Sequence, residues 1–190
     1  MSVSEMTGPA PAIRRRRVPE VLTAAVAFAL AVASFLHFGV TARAFVAALF
    51  VVVLVVLSAI DVEQGILPNR IVLPATGAVL VLQLALFPHH AVEWILAMLG
   101  AGLFFFIVFV AYRQGIGLGD VKLGFLLGAA LGKGVVLGII VGLFAAGIAG
   151  LAVVATKGLE ARKQTIPMGP FLAFGAIVSL FTNGSSFISF

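Results

Sequence analysis

Apolar residues form long runs along this chain, separated by short polar stretches. Because a helix needs about 20 mostly apolar residues to cross a bilayer, these runs predict membrane helices packed as an all-α transmembrane bundle. We expect about seven membrane segments, of which the fifth is conspicuously short. Their approximate bounds are Val21–Phe38, Ala44–Ile60, Ile71–Phe87, Ala91–Tyr112, Val121–Leu131, Val135–Ala155 and Met168–Phe181.

The composition supports a membrane protein with one domain. The chain is 62% hydrophobic and 10% charged, with a mean hydropathy of +1.23, which lies outside the range of soluble domains. Residues 20–190 are expected to form one transmembrane domain, because the apolar runs are too closely spaced for a second. Residues 1–19 contain Arg14–Arg17 and are expected to be a disordered cytoplasmic tail.

A basic stretch before an apolar core also fits a cleaved signal peptide. The sequence therefore leaves open whether the first membrane segment is kept in the mature protein.

The distribution of charge predicts the orientation in the membrane. A net charge of +5 is compatible with nucleic-acid binding, but basic residues in a membrane protein usually mark the cytoplasmic edge. If the N-terminus is cytoplasmic, only Arg43 and Lys133 of the 12 Lys and Arg residues lie outside. We therefore expect an inner-membrane protein with a cytoplasmic N-terminus, an external C-terminus and no nucleic-acid partner.

Cysteine, histidine and glycine each narrow the possible chemistry. The absence of cysteine excludes disulfides, Cys-ligated zinc and a thiol nucleophile. His89 and His90 fall in one outer loop, where a solvated turn is expected and a metal pair is the alternative; no metal site is predicted.

Glycines spaced by four predict two helix faces at which backbones approach closely. They are Gly124, Gly128 and Gly132 on one face, and Gly134, Gly138 and Gly142 on the other.

Asp61 and Asp120 are the only aspartates, and each lies where an apolar run meets a polar turn. In the predicted orientation both turns face the cytoplasm. A charged carboxylate at membrane depth costs roughly 3 kcal/mol or more, so such a residue usually serves a function or lines a water-filled cleft. The alternative is that both aspartates are interfacial residues that simply contact water.

The short fifth segment favours a cleft at Asp120. From Asp120 to Leu131, 12 residues of helix span about 18 Å, whereas the hydrocarbon core is about 30 Å thick. The preceding turn would then begin below the membrane surface, where non-helical backbone must be buried in protein or line an aqueous cavity. We therefore predict a wet pocket at Asp120.

The turn before Asp120 contains Gly115, Gly117 and Gly119. Glycine permits positive φ and lets a substrate backbone approach closely. A phosphate-binding loop is not expected, since the GxGxxG spacing and a following Gly-Lys-Ser/Thr are both absent and the aspartate would repel phosphate.

The segment after Asp61 turns sharply at Gly65 and at Pro68-Asn69, so both aspartates can reach one cytoplasmic cleft. Two neighbouring carboxylates share a proton. One can then act as a base on water while the other polarises a peptide carbonyl and protonates the leaving amine. This chemistry requires no cofactor.

Three motifs between Ile60 and Gly175 resemble those of the type IV prepilin peptidase family, which are membrane aspartic proteases of the GxGD type. They are Asp61-x6-Pro68-Asn69-x4-Pro74, then Gly117-Leu-Gly119-Asp120-Val-Lys122-Leu123, then Pro167-Met-Gly169-Pro170-Phe171. The resemblance implies that Asp61 and Asp120 are the catalytic pair and that Gly117 and Gly119 shape the second turn. Lys122 matches a family lysine without a role that the sequence explains. The remaining motif residues are expected at the substrate cleft: Pro68, Asn69, Pro167, Gly169 and Pro170.

The resemblance also implies a substrate. The family removes the short basic leader from prepilins and pseudopilins at the cytoplasmic membrane face, so such proteins and the lipid bilayer are the expected partners, with a homo-oligomer as a further option. Larger bacterial members insert a domain with two Cys-x-x-Cys pairs, linked to N-methylation, after the first span. Here only residues 37–43 separate the first two runs, so methyltransferase activity is not expected. The compact form resembles peptidases of Flp/Tad-type or archaeal-style pili.

Three other classes of protein are alternatives to a prepilin peptidase. A presenilin-type or signal-peptide-peptidase-type GxGD protease would have a Tyr-Asp and a Pro-Ala-Leu motif, whereas here Ile60 precedes Asp61 and the late motif is Pro-Met-Gly-Pro. A proton-coupled transporter would show internal repeats and charges at the bilayer midplane. A purely structural assembly subunit would tolerate replacement of both aspartates, which mutation can decide.

Overall fold

The computed structural model describes residues 18–112, 116–157 and 167–182. These residues form α-helices and short 3-10 turns without any strand, which confirms the all-α prediction. The two 3-10 turns are Pro88–His90 and Gly132–Gly134. The α-helices are α1 (Glu20–Phe38), α2 (Ala42–Gln64), α3 (Asn69–Leu86), α4 (Ala91–Ala111), α5 (Leu118–Leu131), α6 (Val135–Lys157) and α7 (Gly169–Thr182). The expected basic tail lies outside the described residues, apart from Val18 and Pro19.

The helices are long and apolar enough for a multi-pass membrane protein. Four stretches that could cross a membrane correspond to α1, α2, α3, and α4 with its preceding turn. A fifth, Leu118–Thr156, contains α5, the turn at Gly132–Gly134 and most of α6. Helix α7 is apolar but shorter. Each of the seven predicted segments corresponds to one described helix, so a polytopic helical bundle is confirmed.

Helix α5 lies at the centre of the bundle. Ten of its 14 residues are buried, although it is among the shortest helices described. It packs mainly against α4 and α3, whereas α6 packs on α7 and α1 packs on α2. Helix α1 is peripheral, with only Ala27 and Ser34 buried. The shared core contains Phe50 and Leu54 of α2, Phe105 of α4 and Leu126 of α5.

The glycine faces allow the close helix packing that their spacing predicts. A Cβ at Gly124 would lie 3.0 Å from the Ala101 carbonyl oxygen of α4, and one at Gly142 would lie 3.0 Å from the Leu172 Cα of α7. Lipid chains are as apolar as these side chains, so helices in a membrane associate through such close packing. Gly132 has an additional role, because its φ of +53° begins the turn between α5 and α6.

Two buried polar side chains join helices in the core. The Gln83 Nε2 of α3 donates a hydrogen bond to the Ala130 carbonyl of α5 over 3.2 Å. The Ser179 Oγ of α7 donates to the Gly134 carbonyl over 2.6 Å. Interhelical hydrogen bonds of this kind stabilise helix association in membranes.

Most helix ends lie within two residues of the predicted bounds, but the end of α2 and the start of α5, which carry the aspartates, differ by more. Helix α2 continues to Gln64, so Asp61 lies within the helix rather than at its junction with a loop; Gly65 ends the helix at φ +66° and donates to the Asp61 carbonyl. Helix α5 begins at Leu118, so Asp120 lies in its first turn. The prediction followed apolar residues alone, whereas a left-handed glycine and an acidic first turn set these ends.

Candidate active site

Asp61 lies near the end of α2 and is buried, with 7% of its surface exposed. Its Oδ2 accepts a hydrogen bond of 2.8 Å from the backbone N–H of Gly169, the first residue of α7. An unpaired amide at a helix N-terminus is a favourable partner for a carboxylate. Contact with α7 therefore orients a side chain that lies 108 residues earlier in the chain.

Gly169 can approach Asp61 because it has no side chain. A Cβ at this position would lie 2.7 Å from the Asp61 Oδ2 and 3.1 Å from its Cγ. The neighbouring Pro170 lies in the first turn of α7, where proline is well tolerated because the N–H it lacks would be unpaired. The described part of the third motif thus packs the start of α7 directly against one aspartate.

Asp120 is held locally instead. It is 9% exposed, and its Oδ2 accepts a 3.0 Å hydrogen bond from the backbone N–H of Gly117, which immediately precedes α5. The Asp120 N–H in turn donates to the Gly117 carbonyl. This reciprocal arrangement fixes the carboxylate at the helix start. Gly115, the first glycine of the predicted turn, lies outside the described residues.

The structure brings the two aspartates to the same end of the bundle. Leu67, in the loop after α2, packs against Gly119, where an added Cβ would lie 3.1 Å from the Leu67 Cβ. The described ion pairs all involve Glu93, with His90 and Lys133, at the opposite end of α5. Within the described residues neither aspartate is neutralised by a cation.

Lys122 and Asn69 connect the two aspartate motifs through their side chains. The Lys122 Nζ donates a hydrogen bond to the Asn69 Oδ1, although the residues are 53 positions apart. Asn69 is the first residue of α3, and the Pro68 carbonyl accepts the N–H groups of Ile71 and Val72 in its first turn. The structure thereby gives Lys122 a partner that the sequence did not indicate.

Glu63 is a polar residue of this region that sequence reasoning did not assign to the site. Its Oε1 accepts a 2.7 Å hydrogen bond from the backbone N–H of Val18, just before α1. No sequence signal could have revealed this contact, since the donor is a backbone group 45 residues away. It attaches the start of α1 beside the helical turn that carries Asp61.

A separate groove lies between α4 and α6. It has a volume of about 860 Å³ and is lined mostly by apolar residues such as Leu96 and Ile139, with His89 and Lys133 at one end. Neither aspartate lines it. Among the described residues, no cluster of three or more His, Asp or Glu side chains could hold a metal ion.

The sequence profile of the type IV leader peptidase family matches residues 48–155, which include both aspartate motifs. The chain belongs to the type IV leader peptidase family. The resemblance noted from the motifs is thus confirmed, and the presenilin-type and transporter alternatives are set aside.

Curated relatives agree with this family assignment. The chain is 30% identical over 162 residues to a prepilin leader peptidase/N-methyltransferase of Bacillus subtilis (strain 168), covering 82% of the chain and 62% of the relative. It is 33% identical over 159 residues to proteins of the same name in Burkholderia pseudomallei (strains 1026b and K96243), covering 80% of the chain and 51% of each relative. The chain therefore spans only about half to three-fifths of their length. No solved structure matches it significantly.

The type IV leader peptidase motifs thus meet at one end of the fold. Gly169 contacts Asp61, Gly117 contacts Asp120, and Gly119 lies against the loop between the first aspartate and α3. Pro68 and Asn69 begin α3, while Pro167 and Pro170 flank Gly169. Pro68 and Asn69 therefore follow Leu67, which contacts α5, while Pro167 and Pro170 lie close in sequence to Gly169, which contacts Asp61.

Proposed function

We propose that this member of the type IV leader peptidase family is an aspartic endopeptidase that removes the basic leader from prepilins or pseudopilins. The observation that carries the proposal is that two buried aspartates on separate helices, Asp61 and Asp120, lie at the same end of the bundle, where Leu67 packs against Gly119. The names of the relatives, prepilin leader peptidase, support the substrate class.

The two aspartates would share the acid–base work. The ionised carboxylate takes a proton from a water molecule, whose oxygen attacks the scissile carbonyl. The protonated carboxyl polarises that carbonyl and then transfers its proton to the leaving amine, so that the proton inventory of the pair is restored. The backbone amides of Gly117 and Gly169 keep each carboxyl group in place while its partner acts.

We place this site at the cytoplasmic face of the inner membrane. The positive-inside rule supports that orientation, because it leaves only Arg43 and Lys133 of the 12 basic residues outside. The apolar helix that follows a prepilin leader would remain in the bilayer while the leader reaches the aspartates.

The test is replacement of each carboxyl group by an amide. Asparagine keeps the size of aspartate but can neither hold the charge for base catalysis nor deliver the proton, so Asp61→Asn and Asp120→Asn should each lower cleavage at least about 100-fold. The double variant should be no worse than either single one, because the pair acts as a unit. The measurement is the fraction of a co-expressed pilin-like protein, encoded near this gene, that loses its leader at matched enzyme level.

Glu63→Gln is the matched control. Glutamine retains an oxygen that can accept the Val18 N–H, so the fold is kept while a nearby carboxylate is removed. Most activity should remain. Substantial cleavage by either single aspartate variant would refute the two-aspartate mechanism.

A further inference from the structure

The hydrogen bond between Lys122 and Asn69 lies between the two aspartate-bearing segments. Asn69 follows Asp61 by eight residues, and Lys122 follows Asp120 by two. Lys122 is half-buried, whereas Asn69 is exposed at the start of α3. The bond therefore joins the segment that leaves Asp61 to the helix that carries Asp120.

The position of Lys122 argues against direct participation in the reaction. Residues two apart on a helix lie about 200° apart around its axis, so Lys122 and Asp120 leave α5 in different directions. No ion pair joins Lys122 to either aspartate within the described part of the chain. Its ammonium group contacts the Asn69 amide oxygen instead.

The segment between Asp61 and Asn69 has little packing of its own. Gly65 is in the left-handed region at φ +66°, and Ile66 is 60% exposed. Leu67 is the residue that packs inward, against Gly119. An apolar contact of this kind is not directional, so it does not by itself fix the orientation of the segment. At the far ends of α3 and α5, the Gln83 side chain donates to the Ala130 carbonyl. At the near ends, the polar link among the described residues is the hydrogen bond from Lys122 to Asn69.

We propose that Lys122 and Asn69 are a positioning pair that fixes the separation of the two carboxyl groups. The pair holds the segment after Asp61 against α5, and neither residue touches the substrate. The inference rests on the proposed peptidase function, because the separation of the two carboxyl groups affects the rate only if they share a proton during catalysis. Small misplacement of catalytic groups lowers the rate by up to about 100-fold.

The kinetic test uses purified enzyme and a pilin-like protein that the unaltered enzyme cleaves. Lys122→Met and Asn69→Ala should each lower kcat about tenfold with little change in KM, because they disturb the alignment of the carboxyl groups rather than binding. The double variant should be no slower than either single one. Asn69→Asp retains an acceptor oxygen and should keep most activity. Arg70→Met, which removes an exposed cation next to Asn69, should change kcat little.

A second test needs no substrate. The chain has no cysteine, and a Cβ at Gly119 lies 3.1 Å from the Leu67 Cβ, close to the spacing of about 3.5–4.5 Å in a disulfide. The double variant Leu67→Cys/Gly119→Cys should therefore cross-link rapidly on mild oxidation. Adding Lys122→Met or Asn69→Ala should slow cross-linking at least fivefold, whereas adding Arg70→Met should not.

The two tests separate the inference from the function on which it rests. Absence of cleavage by the unaltered enzyme would contradict the peptidase function, while the cross-linking rates would still report on the pairing. Cross-linking that is independent of Lys122 and Asn69 would overturn the pairing. A raised KM in Lys122→Met, with additive losses in the double variant, would also overturn it and indicate that Lys122 binds substrate.

Discussion

A glycine amide binds each candidate catalytic carboxylate, but the two glycines stand in different relations to their aspartates. Gly117 precedes Asp120 by three residues, so this contact forms as soon as α5 begins. Gly169 lies 108 residues beyond Asp61 and reaches it only when α7 packs beside α2. The geometry of Asp61 therefore depends on tertiary packing, and that of Asp120 mainly on its own helix.

Gly169→Ala should lower the activity strongly with little loss of folded protein. The added methyl group would lie 2.7 Å from the Asp61 Oδ2, so the carboxyl group must rotate away and lose the 2.8 Å hydrogen bond. We expect leader cleavage to fall at least about tenfold, since misplacement of a catalytic group lowers the rate strongly. The measurement is kcat for a pilin-like substrate, beside the yield of monodisperse protein.

Gly77→Ala is the control for this substitution. Nothing lies within 4 Å of a Cβ at Gly77, in the middle of α3. Alanine is favoured over glycine within a helix by about 0.5–1 kcal/mol, so this variant should be fully active. Equal activity of Gly169→Ala and the unaltered enzyme would show that the Gly169 contact does not orient Asp61.

The residues of the site were predictable to different degrees. Asp61 and Asp120 could be found from sequence because a charge beside an apolar run is costly and therefore conspicuous. The partners of Lys122 and Glu63 could not, since they lie 53 and 45 residues away and one of them is a backbone amide. Such contacts depend on which helices become neighbours, and no local pattern encodes that choice.

Helices α6 and α7 form a pair whose close approach depends on glycine. A Cβ at Gly175 would lie 2.5 Å from the Gly142 nitrogen and 2.8 Å from its Cα. Backbone atoms cannot move aside as a flexible side chain can. Because the first residue of α7 binds Asp61, this interface positions one end of the site as well as supporting the fold.

Gly175→Ala should separate α6 from α7 and destabilise the protein. Overpacking of this kind costs about 1–3 kcal/mol, which corresponds to a fall of about 5 °C in the thermal unfolding midpoint. Gly147→Ala is the matched control on α6, because its Cβ would meet nothing within 4 Å. The measurement is the midpoint of each variant in the same detergent. A Gly175→Ala midpoint as high as that of Gly147→Ala would contradict the tight α6–α7 contact.

The number and order of the helices followed from the apolar runs, but the ends of helices followed less well. The apolar run of α2 stops at Ile60, yet Asp61 to Gln64 stay helical until Gly65 ends the helix. Likewise Leu118 and Gly119 begin α5 ahead of the run at Val121, because Asp120 caps the helix. Hydropathy locates the membrane-buried part of a helix, whereas capping residues determine where the helix stops.

At the scale of the whole molecule, the connection between α1 and α2 is relevant to the N-methyltransferase activity that the names of the relatives include. Only residues 39–41 separate these helices, and the chain contains no cysteine. The curated relatives, whose names include N-methyltransferase, are considerably longer than the matched region. An inserted Cys-x-x-Cys domain therefore has no place between α1 and α2.

Mature pilin produced by this enzyme alone should accordingly keep a free α-amino group. The measurement is mass spectrometry of the new N-terminus after co-expression in a host without another prepilin methylase. A full-length relative of the larger type, expressed in the same host, is the positive control. A mass increase of one methyl group in pilin processed by this chain would refute the prediction.

The orientation of the bundle is the remaining property of the whole molecule, and the helix order makes it testable. Helix α3 contains 18 residues, about 27 Å at 1.5 Å per residue, so Gln64 before it and His89 after it lie at opposite ends. Both are exposed. Most of the basic residues that predict the orientation lie outside the described residues, so a direct measurement is needed. Because the chain lacks cysteine, Gln64→Cys and His89→Cys each provide a single reactive thiol.

A membrane-impermeant maleimide applied to spheroplasts should label His89→Cys and leave Gln64→Cys unlabelled. Inverted membrane vesicles should give the reverse pattern, since they expose the cytoplasmic face, where we place Asp61 and Asp120. The cysteine-free chain controls for background, and both variants should react after solubilisation in detergent. Labelling of both from one side would contradict a membrane-spanning α3. The opposite pattern would place the two aspartates outside the cell, where a cytoplasmic leader could not reach them.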